Sequence, residues 1–133
     1  FARFGSIHRN TYIHSPGLLN ERLQLLTRPQ LLIAGQLTGV EGYVESAAMG
    51  LYAGLSLWRL LSGEDFSAPP DTTALGSLVR HVTGGGKKDF QPMNVNHGLL
   101  RPLAGRVKKR ERGQEYARRS LNDLSAWRQT QGL

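Results

Sequence analysis

The sequence predicts an α/β fold in which a short buried strand leads through a glycine-rich turn into a long helix. Residues 31–34 form a wholly apolar run, Leu-Leu-Ile-Ala, and turn-forming residues follow it. Such a run between turn signals is typical of a buried strand. Gly35, Gly39 and Gly42 come next, and apolar residues then recur at helical spacing over residues 42–62. This order places bare backbone N–H groups at the start of a helix, where they can bind an anionic or electron-rich group.

The N-terminal half supplies two further elements before the helix. Residues 1–14 alternate loosely and carry aromatic and β-branched side chains, which predicts an extended segment that ends at the Ser15-Pro16-Gly17 turn. Residues 18–26 predict a short irregular or strand-like piece, which Arg28-Pro29 ends. The helix over 42–62 is the clearest element, and its apolar positions are Tyr43, Val44, Ala47, Ala48, Leu51, Tyr52, Leu55, Trp58 and Leu61.

The C-terminal half predicts two more helices. Thr72 and Thr73 can cap a helix that runs to about Thr83, with Leu75, Leu78, Val79 and Val82 on one face. Residues 90–103 are rich in proline and asparagine and are predicted to be irregular. A last helix is predicted over 106–129, with Tyr116, Leu121, Leu124 and Trp127 as its buried side. These elements divide the chain into regions 1–63, 64–105 and 106–133.

The composition fits one folded domain or part of one. The chain has 133 residues, of which 39% are hydrophobic and 20% are charged, so a core is possible. It has no cysteine, which excludes disulfides and thiolate chemistry and agrees with a reducing compartment. No apolar run approaches the ~20 residues of a membrane-spanning helix, and no signal peptide is visible. Because the first residue is Phe1, we expect a segment of a longer protein.

Positive charge is concentrated in the last quarter of the chain. Residues 1–100 hold eight Lys or Arg against seven Asp or Glu, a balance of +1, whereas residues 101–133 hold nine against three, a balance of +6. A solvated helix face is the usual meaning of such a run, but the contrast with the neutral first hundred residues favours RNA binding. The candidate RNA contacts are Arg101, Arg106, Lys108, Lys109, Arg110 and Arg112.

A flavin is one ligand that suits the glycine turn. Reduction builds negative charge on the carbonyl-rich edge of the flavin ring, and free N–H groups from Gly42 to Val44 at a helix N-terminus would stabilise that charge. The glycine spacing is not G-x-G-x-x-G and no P-loop lysine is present, so a diphosphate loop is not predicted. For a glycine cluster taken alone, an ordinary tight turn is the favoured interpretation.

Two polar clusters have similarly open interpretations. Residues 8–12, His-Arg-Asn-Thr-Tyr, suit a heteroaromatic ring with hydrogen-bonding edges, but an edge strand facing water is favoured on residue types alone. Residues 90–98 fit either a polar pocket wall or a structured loop. The four histidines have no metal-ligand spacing, so no metal site is predicted.

Together these motifs resemble one known family. A-G-Q-L-T-G-V-E-G-Y-V-E-S-A-A, H-R-N-T-Y, T-T-A-L-G-S-L and F-Q-P-M-N-V-N-H-G-L-L are similar to motifs in the C-terminal part of the folate- and FAD-dependent tRNA (uracil-5-)-methyltransferases. They occur in that family's order and span nearly the whole chain. The glycine motif also resembles the related flavoprotein that modifies wobble uridines of tRNA, whereas H-R-N-T-Y and F-Q-P-M-N separate the two families.

The resemblance implies a glutathione-reductase-like, Rossmann-type FAD-binding fold interrupted by an insertion domain. Residues 1–63 would be the C-terminal part of the FAD-binding domain, with 64–105 packed on it and 106–133 forming a basic helix. The implied reaction transfers a methylene group from methylenetetrahydrofolate to a T-loop uridine of tRNA in the cytoplasm, with FADH2, regenerated from NAD(P)H, as reductant. The resemblance assigns to the flavin site Gly35, Gln36, Gly39, Glu41, Gly42, Tyr43 and Val44, and it places near the flavin or folate ring His8, Arg9 and Asn10.

The chain lacks two features of that family, its N-terminal dinucleotide motif and its catalytic cysteines. No catalytic residue is therefore assigned here, and the nucleophile is expected in the missing N-terminal FAD-binding part, without which the chain is predicted to be inactive. Two alternatives stay open. They are the wobble-uridine flavoprotein and a non-catalytic, basic RNA-binding module.

Overall fold

The computed structural model describes residues 11–84 and 89–133, so most of the predicted extended segment 1–14 lies outside it. The described elements are two short strands, a 3-10 turn and three helices. They are β1 (Gln24–Leu25), β2 (Arg28–Leu32), the 3-10 turn (Gly35–Thr38), α1 (Tyr43–Leu61), α2 (Ala74–Thr83) and α3 (Arg112–Thr130).

The predicted buried strand is instead one arm of an exposed hairpin. β1 and β2 are antiparallel, with Gln24 opposite Leu32 and Leu25 opposite Arg28. The strand starts earlier than the predicted apolar run and ends at Leu32, and the Leu31 side chain is 46% exposed. The prediction of burial is wrong because β2 has one hydrogen-bonded neighbour in the described part of the chain and little to pack against.

Helix α1 begins one residue after Gly42, so the prediction of a helix over 42–62 is confirmed. Its buried stripe is Met49, Tyr52 and Ser56. The Tyr52 hydroxyl donates to the Glu21 carbonyl at 2.6 Å, and burial, ahead of the nearby Glu21 charge, raises the pKa of Tyr52 above its usual range. The hydroxyl therefore stays protonated and anchors α1 to the loop before β1.

The buried face of α1 is narrower than the set of apolar positions in its sequence. Tyr43 is 97% exposed, Val44 79%, Leu51 68% and Leu61 79%. The apolar positions lie around more than half of the helix, whereas the buried stripe is Met49, Tyr52 and Ser56, with Ala53 and Leu55 partly buried against the core. The others form an uncovered apolar surface.

Helix α2 matches its prediction in both position and face. Thr73 is the N-cap, and its hydroxyl accepts a hydrogen bond from the Gly76 N–H at 2.9 Å. Leu78, Val79 and Val82 are buried, as the spacing predicted.

Helix α3 begins at Arg112, six residues later than predicted. A helix from 106 would set Arg106 against Arg110 and Lys108 against Arg112, and like charges four residues apart destabilise a helix. The predicted buried side is also only partly right. Trp127 is buried, with its indole N–H donating to the Ser67 carbonyl at 3.0 Å, but Leu121 is 67% exposed.

One core connects the hairpin region to the last helix. Its buried members come from the hairpin region, all three helices and the loops between them, and are Leu23, Val40, Met49, Tyr52, Phe66, Leu78, Val79, Val82 and Trp127. Phe66 lies between Tyr52 and Trp127, with ring centroids at 5.4 and 5.8 Å. Among the described helices, none is both long and apolar enough to cross a membrane.

Candidate functional site

The glycine turn between β2 and α1 uses backbone conformations that favour glycine. Gly35, Gly39 and Gly42 have φ angles of 67°, 88° and 91°. Gly39 ends the 3-10 turn, and Gly42 is the N-cap of α1. The three glycines therefore let the chain turn within eight residues and enter the helix, and positions 35, 39 and 42 carry no side chain.

A second segment is hydrogen-bonded to this turn. The Glu41 N–H donates to the Met93 carbonyl at 3.0 Å, and the Met93 N–H donates to the Gly39 carbonyl at 3.1 Å. Val40, between them, forms a parallel bridge with Met93 and is fully buried. The F-Q-P-M-N motif thus lies directly against the glycine turn, although the two are about fifty residues apart in sequence.

Phe90 forms the floor under Gly39. An ideal Cβ built on Gly39 would lie 2.4 Å from Cζ of Phe90, so the phenyl ring occupies the space that a side chain would need. Tyr12, His14 and His81 surround this ring, with centroids 6.3, 5.5 and 5.0 Å away. Glycine is required at position 39 for packing as well as for its φ angle.

The floor is itself held by hydrogen bonds. The His81 Nε2 lies 3.0 Å from the Gln91 carbonyl oxygen, which connects α2 to the segment that carries Phe90. On the other side, the Ser15 hydroxyl donates to the Thr38 carbonyl at 2.7 Å, and the Thr38 hydroxyl donates to the Gly35 carbonyl at 2.7 Å. The turn is therefore fixed from both flanks.

The opposite side of the turn is open. The first intrahelical bond of α1 runs from the Ser46 N–H to the Gly42 carbonyl, and no side chain caps the helix at Gly42. The N–H groups of the first turn therefore lack intrahelical partners. Tyr43 and Val44 are the exposed residues of this turn, and Gln36 is exposed beside them. The result is a helix N-terminus presented to solvent on a rigid support, with the Glu45 carboxylate lying beside Gly42.

The predicted flavin-site residues divide into two groups. Gln36, Gly42, Tyr43 and Val44 lie on the open side. The others lie within the turn, where Gly35 and Gly39 are buried and Glu41 is half-buried.

His8, Arg9 and Asn10 lie outside the described residues. Tyr12, the last residue of their motif, reaches Phe90 with its ring centroid 6.3 Å away. Sequence reasoning did not identify Phe90 and His81 as supports of the turn. The aromatic residue at the head of F-Q-P-M-N was the available signal for Phe90.

The basic residues do not form one continuous helix face. Arg101 pairs with Asp71 at 3.0 Å and Arg110 with Glu111 at 3.2 Å, and the Arg112 guanidinium donates to the Val107 carbonyl at 3.3 Å. The remaining candidates, Arg106, Lys108 and Lys109, are exposed in the irregular segment before α3. Residues 106–112, which are the end of this segment and the first residue of α3, are called the basic segment below.

No group of three or more His, Cys, Asp or Glu side chains that could hold a metal ion occurs within residues 11–84 and 89–133.

Comparisons with known proteins identify the family. The family described as glucose inhibited division protein A matches residues 1–65. A protein of Syntrophus aciditrophicus is 58% identical over 127 residues, which is 96% of this chain and 29% of the relative. A protein of Geotalea uraniireducens is 55% identical over 130 residues, 98% of this chain and 30% of the relative. Both relatives are named methylenetetrahydrofolate–tRNA-(uracil-5-)-methyltransferase TrmFO. The chain belongs to the TrmFO family.

The similarity to TrmFO proteins extends over nearly all of this chain but only part of theirs. The chain spans about 29% of the length of the Syntrophus aciditrophicus relative. The glycine turn, the Phe90 floor and the basic segment are therefore features of one segment within a TrmFO sequence.

Proposed function

We propose that this chain is the flavin-closing segment, from the C-terminal part, of a longer TrmFO-family enzyme with a glutathione-reductase-like FAD-binding fold. The intact enzyme forms 5-methyluridine in the T loop of tRNA, with methylenetetrahydrofolate as carbon donor and NAD(P)H as the source of electrons, in the cytoplasm. The observation that carries the proposal is the open N-terminus of α1 on a glycine turn that is packed against Phe90.

The residues present fit a flavin ring. The glycines leave positions 35, 39 and 42 of the turn without side chains, and the uncapped amides of Tyr43 and Val44 suit the electron-rich edge of the ring. Bound FAD would supply the electrons that convert the transferred methylene to a methyl group. Around it, backbone groups of Gln36, Gly42, Tyr43 and Val44 would hold the ring and stabilise charge, while Gly35, Gly39 and Glu41 shape the turn.

The remaining assignments concern the co-substrate and the nucleophile. His8, Arg9 and Asn10 precede Tyr12, whose ring lies beside the floor of the turn, and we place them near the flavin or folate ring. The chain has no cysteine, so the residue that attacks the uracil ring belongs to the part of the enzyme beyond this chain. The segment alone is expected to be inactive.

The reaction itself is the direct test. The intact protein, incubated with unmodified tRNA, methylenetetrahydrofolate and NAD(P)H, should produce 5-methyluridine in the T loop, detected by mass spectrometry of nuclease fragments. Product should disappear when the folate is omitted. Modification confined to the wobble uridine would instead support the related flavoprotein function, and tRNA binding without any modification would support the RNA-binding module.

The basic segment is proposed to hold the tRNA. Replacing Arg106, Lys108, Lys109 and Arg110 by glutamate in the intact protein should weaken tRNA binding and flatten its dependence on salt, because fewer counterions are released. These side chains are exposed, so the fold should be preserved. Affinity and salt slope are measured by filter binding over a salt series. Unchanged values for both would contradict this assignment.

A further inference from the structure

A stacked pair of rings lies beside the basic segment, where the residues that follow Met93 meet α3. His97 and Tyr116 have centroids 4.7 Å apart and planes inclined by 18°, which is a stacked arrangement. His97 is exposed, whereas Tyr116 is half-buried. A ring on the surface that is backed by a second ring offers a π-face to a ligand at little conformational cost.

The pair is held in place from both sides. Asn96 fixes the loop of His97, since its amide group donates to the Asn94 carbonyl at 3.0 Å and accepts from the Gly98 N–H at 2.8 Å. The Arg119 guanidinium carbon lies 5.3 Å from the centroid of Tyr116. The same guanidinium donates to the Pro102 carbonyl at 2.9 Å and to the Arg101 carbonyl.

A cavity of about 450 Å³ opens at these rings. Its wall includes His97, Tyr116 and Asn96. Gly113 of α3 also lines it, and no atom lies within 4 Å of the position where a Cβ of residue 113 would be. This volume falls in the range of small-ligand sites, roughly 300–1,000 Å³. Arg112 adjoins Gly113 in sequence, so the cavity lies where the basic segment enters α3.

We propose that this cavity binds an unpaired nucleobase of RNA, stacked on the His97–Tyr116 pair, while the basic segment contacts the flanking phosphates. Aromatic stacking next to positive charge is how proteins bind splayed bases of RNA. The site deepens the proposed function, because it rests on tRNA as the partner and adds a base contact made by residues outside the glycine turn.

The experiment compares His97 variants of the intact protein in binding an unmodified tRNA transcript over a salt series. His97→Ala should weaken binding roughly 5- to 150-fold, the size expected for loss of one base stack. The salt slope should not change, because no phosphate contact is removed. His97→Phe should bind within about twofold of wild type, since a π-face is what stacking requires.

Trp58 provides the matched control. It is also an exposed aromatic residue with an arginine over its ring, at 4.6 Å, but Arg59 bonds to Gln131 at the other end of α3. Trp58→Leu should leave tRNA binding unchanged.

The outcomes separate the base site from the proposed function. Wild-type affinity in His97→Ala, or equal losses in His97→Ala and His97→Phe, would overturn the base site while T-loop methylation persists. A wild-type protein that does not bind tRNA would overturn both proposals.

Discussion

Replacing Gly39 with valine is expected to empty the flavin site of the intact protein. Position 39 has a φ angle of 88°, and its Cβ would lie 2.4 Å from Cζ of Phe90, which is only 4% exposed. A left-handed backbone costs a non-glycine residue about 1–2 kcal/mol, and overpacking costs about 1–3 kcal/mol more. The turn should move, carrying with it the amides at the start of α1. The purified variant should lose the visible flavin absorbance of the wild type.

Two further variants give this prediction its controls. Gly50 lies on α1 with no atom near its Cβ position, so Gly50→Ala should keep the flavin. Gly42→Val, at a φ of 91°, should also lose flavin, although the atom its Cβ meets is the end of the Glu45 side chain, which can move. A Gly39→Val protein that is as yellow as wild type would refute the flavin assignment of the turn.

Replacing Gly76 with alanine is expected to destabilise the protein strongly, although alanine is the better helix former. A Cβ at Gly76 would lie 2.1 Å from the carbonyl oxygen of Pro70 and 2.3 Å from that of Pro69. Both are backbone atoms, so neither can rotate away. We expect the free energy of unfolding to fall by about 2–3 kcal/mol. The fall is measured as a lower midpoint of thermal or urea unfolding of the intact protein.

The sign of the change makes this prediction sharp. Replacing a helical glycine that has no close neighbours by alanine stabilises a protein by about 0.5–1 kcal/mol. Gly50→Ala should therefore be neutral or stabilising in the same assay. Equal or higher stability in Gly76→Ala would show that α2 does not pack against Pro69 and Pro70 as described. Because α2 also carries His81, which holds Gln91, partial loss of flavin should accompany the loss of stability.

Helices and helix caps that depend on residues close together in sequence could be predicted from the sequence. The helix after Gly42 and the Thr73 cap are where the sequence placed them. The order of the motifs also led to the correct family. In each case the information lies within a few turns of chain, in glycine positions, capping side chains and apolar spacing.

Burial and long-range contact could not be predicted in the same way. The apolar run that begins at Leu31 predicted a buried strand, but β2 is mostly exposed. Helix α1 likewise buries only some of its apolar residues. The start of α3 at Arg112 reflects repulsion among like charges, which the apolar spacing did not weigh.

In the glycine turn, the local sequence determines the backbone conformation, and tertiary contacts determine which side of the turn is covered. A positive φ angle depends on the glycines themselves, so the turn could be predicted from residues 35–42, and the apolar spacing over residues 42–62 predicted the helix that follows. That the turn lies against Phe90 and Met93 depends on contacts with residues about fifty positions away. Which side of the turn is closed and which presents free amides was therefore decided by packing, because a ring that fills the space under Gly39 leaves only the other side open to a ligand.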